Sequence, residues 1–148
     1  MEVSAQGLQL IRKSEGFQGK AYKDVAGIPT IGYGHRIRRG ESFSAGIGED
    51  EATKILEADV REAVAAVNHL VKVALTQGQF DALVDFTFNL GAGRLTGSTL
   101  LRELNAGEYF AAGLQLLQWD HAGGQVMAGL RLRREAEYQL WTQIEAAA

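Results

Sequence analysis

Cysteine is absent from this 148-residue chain, which excludes a disulfide scaffold, a thiol nucleophile and cysteine-bound metal. That absence also fits a reducing compartment. Proline occurs once, at Pro29, where its fixed φ constrains the residue that follows. Charge of one sign is scarce too. A net charge of −3 gives no bulk attraction to nucleic acid or to an anionic membrane, so neither partner is expected. Arginine is clustered nonetheless, at Arg36, Arg38 and Arg39 and again at Arg131, Arg133 and Arg134. No apolar run approaches the ~20 residues of a membrane span, and Glu2 interrupts the N-terminus, so neither membrane insertion nor a secretory signal is expected. His69 and His121 have no partners at ligand spacing and no His-Glu-x-x-His occurs, so no metal and no cofactor is expected.

What is present suits a soluble globular domain large enough to bury a core: hydrophobic residues make up 46 % and charged residues 22 %. The 18 glycines fall at turns and helix ends rather than in a repeat. Residues 4–14 read as a helix, with Ser4 as N-cap, Leu8, Leu10 and Ile11 as its apolar stripe and Gly16 as its stop. Glu15 then sits at the negative end of a helix, a place that favours the protonated form of a carboxylate. Residues 20–47 are short, β-like and punctuated by glycine. Strands are expected at Ala21–Lys23, at Pro29–Tyr33 and near Glu41–Phe43, forming a small antiparallel sheet.

Residues 49–69 carry the strongest helical pattern: Ala52, Ile55, Leu56, Val60, Ala63, Val64 and Val67 recur at helical spacing. At 1.5 Å per residue this helix is about 30 Å long and reads as a strut between two lobes. Thr76-Gln77-Gly78-Gln79 is a capping box, opening a helix that is apolar on nearly every face and stops near Gly91. Ser98 or Thr99 caps a short helix ending at Gly107. Helices are expected over 108–118 and 130–142, joined by a loop from Asp120 to Gly129. The fold class is α+β and mainly helical.

Cleaving a glycosidic bond needs a protonated acid at the leaving oxygen and a second group that delivers water or a nucleophile. Glu15 and Asp24 suit that pair if one is shielded and the other solvated, and Thr30 is placed to share a water with Asp24. On residue types alone, two solvated surface carboxylates remain the alternative.

The stretch Glu15, eight residues, Asp24, five residues, Thr30-Ile31-Gly32-Tyr33-Gly34-His35 resembles the phage-type lysozymes, the endolysins of glycoside hydrolase family 24. Phe86-Thr87-Phe88-Asn89-Leu90-Gly91, Ser98-Thr99-Leu100-Leu101, Gln118-Trp119 and Gly129 to Glu137 are similar to motifs of that family's second lobe, so the resemblance covers almost the whole chain. It implies one lysozyme-like domain over 1–148: an N-terminal lobe of about 15–50, a connecting helix of about 49–69, and a helical C-terminal lobe of about 70–148 with helix 4–14 packed on it. It implies a muramidase that hydrolyses the β-1,4 bond between N-acetylmuramic acid and N-acetylglucosamine. Glu15 would be the general acid, with Asp24 and Thr30 positioning water for inversion at the anomeric carbon.

The resemblance also makes His35 a buried support for the sheet, and it makes Arg36, Phe88, Asn89 and Ser98 saccharide contacts. A solvated turn is the alternative for Arg36, core packing for Phe88 and a plain N-cap for Ser98. Trp119 and Trp141 read as core aromatics, with lining of the cleft as the alternative for Trp119. Arg131, Arg133 and Arg134 read as ion-paired with Glu135 and Glu137, or as contacts to an anionic wall. The implied partner is bacterial peptidoglycan and the implied setting is the host cytoplasm, until a separate pore protein releases the enzyme. A monomer is expected. Two rivals remain: a lytic transglycosylase using Glu15 alone, and a non-catalytic wall-binding domain.

Overall fold

The structure is a computed structural model, and residues 1–143 are described. The helices are α1 (Ala5–Glu15), α2 (Glu49–Leu70), α3 (Gln77–Leu90), α4 (Ala92–Thr96), α5 (Thr99–Asn105), α6 (Tyr109–Leu116) and α7 (Ala128–Trp141). The strands are β1 (Gln18–Lys23), β2 (Pro29–Gly32), β3 (His35–Arg36), β4 (His121–Ala122) and β5 (Gln125–Val126). This is the α+β, mainly helical class expected. Among the described residues no helix is long and apolar enough to cross a membrane. Two compact units divide the chain: Ile11–Glu62, and Met1–Leu10 with the residues from Ala63 onward. Both α1 and α2 therefore contribute residues to each unit.

In the Ile11–Glu62 unit, β1, β2 and β3 form an antiparallel meander in that order. Thr30 pairs with Tyr22 on one side and Arg36 on the other, and a bulge interrupts β1 between Gln18 and Tyr22. Ile11, Ile31, Leu56 and Val60 are buried here. Gly32 lets the sheet close on α2, since a Cβ there would lie 3.2 Å from the Ala52 Cβ. The third strand differs from the one expected near Glu41–Phe43 and lies at His35–Arg36 instead. Glu41 is drawn into a turn: its N–H donates to Arg38 O at 3.0 Å and its side chain accepts from Arg38 N at 2.6 Å. Gly40, at φ +92°, makes that turn possible.

The second unit is helical. Its core gathers Phe80, Leu83, Val84, Phe86, Leu95, Leu100, Leu104, Leu116 and Leu140. The Thr76 capping box forms in both directions, as the sequence indicates. Packing of α3 on α7 is so close at Gly78 that a Cβ would lie 2.1 Å from Leu140 O, so no larger residue fits. Trp141 is buried beside Gly113 and donates from Nε1 to Tyr109 O at 3.0 Å. Ser4 caps α1, accepting from Gly7 N at 3.1 Å, and its N–H and hydroxyl both donate to the buried Asp81. The loop expected from Asp120 to Gly129 contains a small hairpin, β4–β5. The signal is Gly123-Gly124: both glycines have positive φ, as a tight two-residue hairpin turn requires.

Candidate active site

Glu15 is the last residue of α1 because Gly16 takes φ +73° and closes the helix, its N–H donating to Arg12 O at 3.0 Å. The half-buried Glu15 carboxylate rests against the β2–β3 turn. A Cβ on Gly34 would sit 2.9 Å from Glu15 Oε1. Gly34 also holds φ +78°. One glycine thus supplies both the turn and the seat for the carboxylate, for reasons that exclude a side chain twice over.

Asp24 directly follows β1, and the turn to β2 is built on it. Its Oδ1 accepts from Ala26 N and from Ile28 N, both at 2.9 Å. Its own N–H donates to Ile28 O at 3.0 Å, and its carbonyl accepts from Gly27 N at 2.9 Å. This is an aspartate turn, in which a short carboxylate substitutes for backbone acceptors. Both side-chain bonds use one oxygen, so the turn makes no demand on Oδ2. Thr30 lies two residues beyond Ile28, only 3 % exposed, and its hydroxyl donates to Ile28 O at 2.9 Å. Ile28 O thus ties Asp24 and Thr30 to a common point. Arg36, cross-strand from Thr30, is exposed.

His35 is 6 % exposed and braced from two sides. Its Nδ1 lies 2.7 Å from Asp59 Oδ2 on α2, and its Nε2 lies 3.0 Å from Glu41 Oε1. Burial pulls its pKa down, but the hydrogen bonds and charges of Asp59 and Glu41 outweigh burial and raise it above the ordinary 6.5. Glu41 is held below the usual carboxylate range, first by the Arg38 amide and then by His35. The bracing partners Asp59 and Glu41 lie 24 and 6 residues away in sequence, and no local motif announces them. Gly34 is the other position that residue-type reasoning passed over. Its position in Gly32-Tyr33-Gly34-His35 is the available signal.

Phe88 and Asn89 lie at the end of α3 in the helical unit, both half-buried. Asn89 Oδ1 accepts from Arg134 Nη2 at 2.8 Å. Ser98 is the N-cap of α5: its Oγ accepts from Leu101 N at 3.0 Å and donates to Leu95 O at 2.7 Å, so its proton is committed. Arg133 and Arg134 are buried rather than displayed. Arg133 makes two bonds to Asp85, Nε to Oδ2 at 3.0 Å and Nη2 to Oδ1 at 2.9 Å. Arg134 Nη2 donates to Glu137 Oε2 at 2.7 Å. Its Nε also lies 2.7 Å from Oε1, with the N–H not aimed at the oxygen. Among the described residues, no three potential ligand side chains gather as a metal site would need.

The chain is similar to known proteins over most of its length. The model of the phage lysozyme family matches residues 12–137. The endolysin of Bacillus phage B103 is 46 % identical over 143 residues, covering 95 % of this chain, which spans about half (54 %) of that relative. The endolysin of Acyrthosiphon pisum secondary endosymbiont phage 1 is 38 % identical over 147 residues, covering 95 % of this chain and 98 % of its own length. Among solved structures, the muramidase domain of SpmX from Asticaccaulis excentricus superposes with a TM-score of 0.88 at 35 % identity, covering 97 % of this chain and 99 % of that one. The chain belongs to the phage lysozyme family.

Proposed function

We propose that this protein is a peptidoglycan muramidase that hydrolyses the β-1,4 bond between N-acetylmuramic acid and N-acetylglucosamine. The observation that carries the reading is the shared anchoring of Asp24 and Thr30 on Ile28 O, with Glu15 seated against Gly34 in the same unit. Both endolysin relatives and the muramidase-domain neighbour support the same activity, and the relatives support a place in lysis of the host wall.

Glu15 acts as general acid and gives its proton to the leaving glycosidic oxygen as the C1–O bond breaks. Water attacks the anomeric carbon, and its proton passes to Asp24. The Thr30 hydroxyl has already donated its proton to Ile28 O, so toward water it is an acceptor. A water donating one hydrogen to Thr30 Oγ1 and the other to Asp24 has its lone pair turned outward, toward the sugar. Attack from the face opposite the leaving group inverts the anomeric centre, and this reading places the two carboxyl groups about 6.5–9.5 Å apart. Arg36 and Asn89 are saccharide contacts in this scheme. His35, tied to Asp59 and Glu41, keeps β3 and thereby Thr30 in place.

Lytic transglycosylase chemistry is the second reading. It needs the acid alone and leaves a 1,6-anhydro sugar; the anchored Asp24–Thr30 pair favours hydrolysis over it. The test is Glu15→Gln, assayed by release of soluble glycan from purified peptidoglycan. Loss of release with an unchanged melting temperature is expected, whereas retention of most activity overturns the assignment.

A further inference from the structure

Asn89 ends α3 in the helical unit with its side chain half-buried. Its Oδ1 accepts from Arg134 Nη2 at 2.8 Å. A guanidinium has donors and no acceptors, so the group turned toward Arg134 must be the amide oxygen. Arg134 itself is enclosed. It is 0 % exposed, bonded to Glu137 Oε2 and set 5.4 Å over the Phe86 ring, which an edge-on Trp119 also meets. Behind it lie the buried carboxyls of Glu137 and Asp85. Burial, and then the neighbouring Asp85, push Glu137's carboxyl well above its ordinary range, while at Asp85 the neighbouring groups outweigh burial and lower its pKa. In this network Arg133 meets Asp85 and Arg134 meets Glu137, and the Asn89 amide lies at its edge.

We propose that Arg134 is a positioning residue that fixes the amide of Asn89, so that Asn89 offers its Nδ2 hydrogens to an acceptor oxygen of the glycan. The inference rests on the muramidase reading for its substrate. Among the described residues Nδ2 donates to no protein acceptor, so both hydrogens are free for ligand. Without Arg134 the amide rotates, and half of its orientations present an oxygen to an oxygen. The consequence is a site that selects an acceptor, such as the N-acetyl carbonyl, over a donor at that point of the sugar.

The test is a double-mutant cycle on glycan cleavage, using Arg134→Lys and Asn89→Ala. Arg134→Lys should raise KM about five- to tenfold with little change in kcat, the size expected for one lost hydrogen bond. In the Asn89→Ala background the same substitution should leave KM unchanged, although its loss of thermal stability persists. A purely structural Arg134 predicts equal KM effects in both backgrounds, and that result overturns the proposal. Nitrogen-15 spectra of the unmutated protein supply a second readout that requires no variant to fold. Adding the N-acetylglucosamine trimer should shift the Asn89 side-chain amide resonances, and their failure to move overturns the proposal as well. If the unmutated protein cleaves no glycan, the muramidase reading fails, while the amide shift still reports on the lock.

Discussion

The two units of this protein handle polar groups in opposite ways. In Ile11–Glu62 the candidate catalytic groups are held by nearby backbone: Asp24 by the amides of Ala26 and Ile28, Thr30 by Ile28 O, Glu15 by the space over Gly34. In the helical unit the buried charged groups of α3 and α7 are held by side chains across long sequence separations. Asp85 meets Arg133 across 48 residues, and Asn89 meets Arg134 across 45. A backbone-built site keeps its carboxylates at the surface, where substrate and water reach them. In a side-chain network buried between α3 and α7, removing one partner strands a charge away from water.

This contrast sets the order of expected effects. Glu15→Gln removes the proton donor without altering the seat on Gly34. Glycan release should fall by about 10²–10⁴ with an unchanged melting temperature. A fall in stability of the same standing would move Glu15 into the structural class. Asp24→Asn retains an oxygen for the turn amides and loses only the charge. Activity should drop by about 10² or more while the turn survives, as read by amide exchange at Ala26 and Ile28. Full activity in this variant would favour the transglycosylase.

The helical unit should respond in stability instead. Asp85→Asn removes the carboxylate charge that buried Arg133 meets in two bonds and should cost about 3–5 kcal/mol in denaturant unfolding. A cost below 1 kcal/mol would show that the network is dispensable. Gly34→Ala sits on the boundary of the comparison. It should cost about 1–2 kcal/mol for the left-handed backbone, and it should lower activity further by displacing Glu15.

His35 gives the smallest effect and tests the bracing of the sheet. Its pKa is raised in the folded state, so its contribution to stability is full below the ordinary 6.5 and is lost as pH rises through the folded value. In His35→Gln that fall in stability above pH 6.5 should vanish from a series of unfolding curves. An unchanged slope would assign it to another group.

Legibility in the sequence divides along the same line. Ser4, Gly16, the Thr76 capping box and the period of α2 were readable because each is a local rule with a local partner. Glu15, Asp24 and Thr30 lie within sixteen residues of chain, and their relation to one another is set by one helix stop and one turn. The third strand was misplaced because Glu41, which reads as part of a strand, is captured by Arg38 and His35. The β4–β5 hairpin is two residues per strand, too short for a periodic signal. The arginines of α7 read as partners of Glu135 and Glu137 or as wall contacts, and Arg134 does meet Glu137 while exposed Arg131 approaches Glu135; what went unread is the burial of Arg133 and Arg134. Their burial depends on Asp85, a carboxylate on a helix whose surroundings are otherwise apolar, and no periodicity in α7 reveals it.

The central claim is that Asp24 and Thr30 deliver a water to a sugar protonated by Glu15. Proton spectroscopy of the first products from purified glycan strands tests it most directly. The account predicts reducing muramic acid ends formed first as the α anomer, through inversion of the β bond. Ends formed first as the β anomer, or 1,6-anhydro ends, would contradict it.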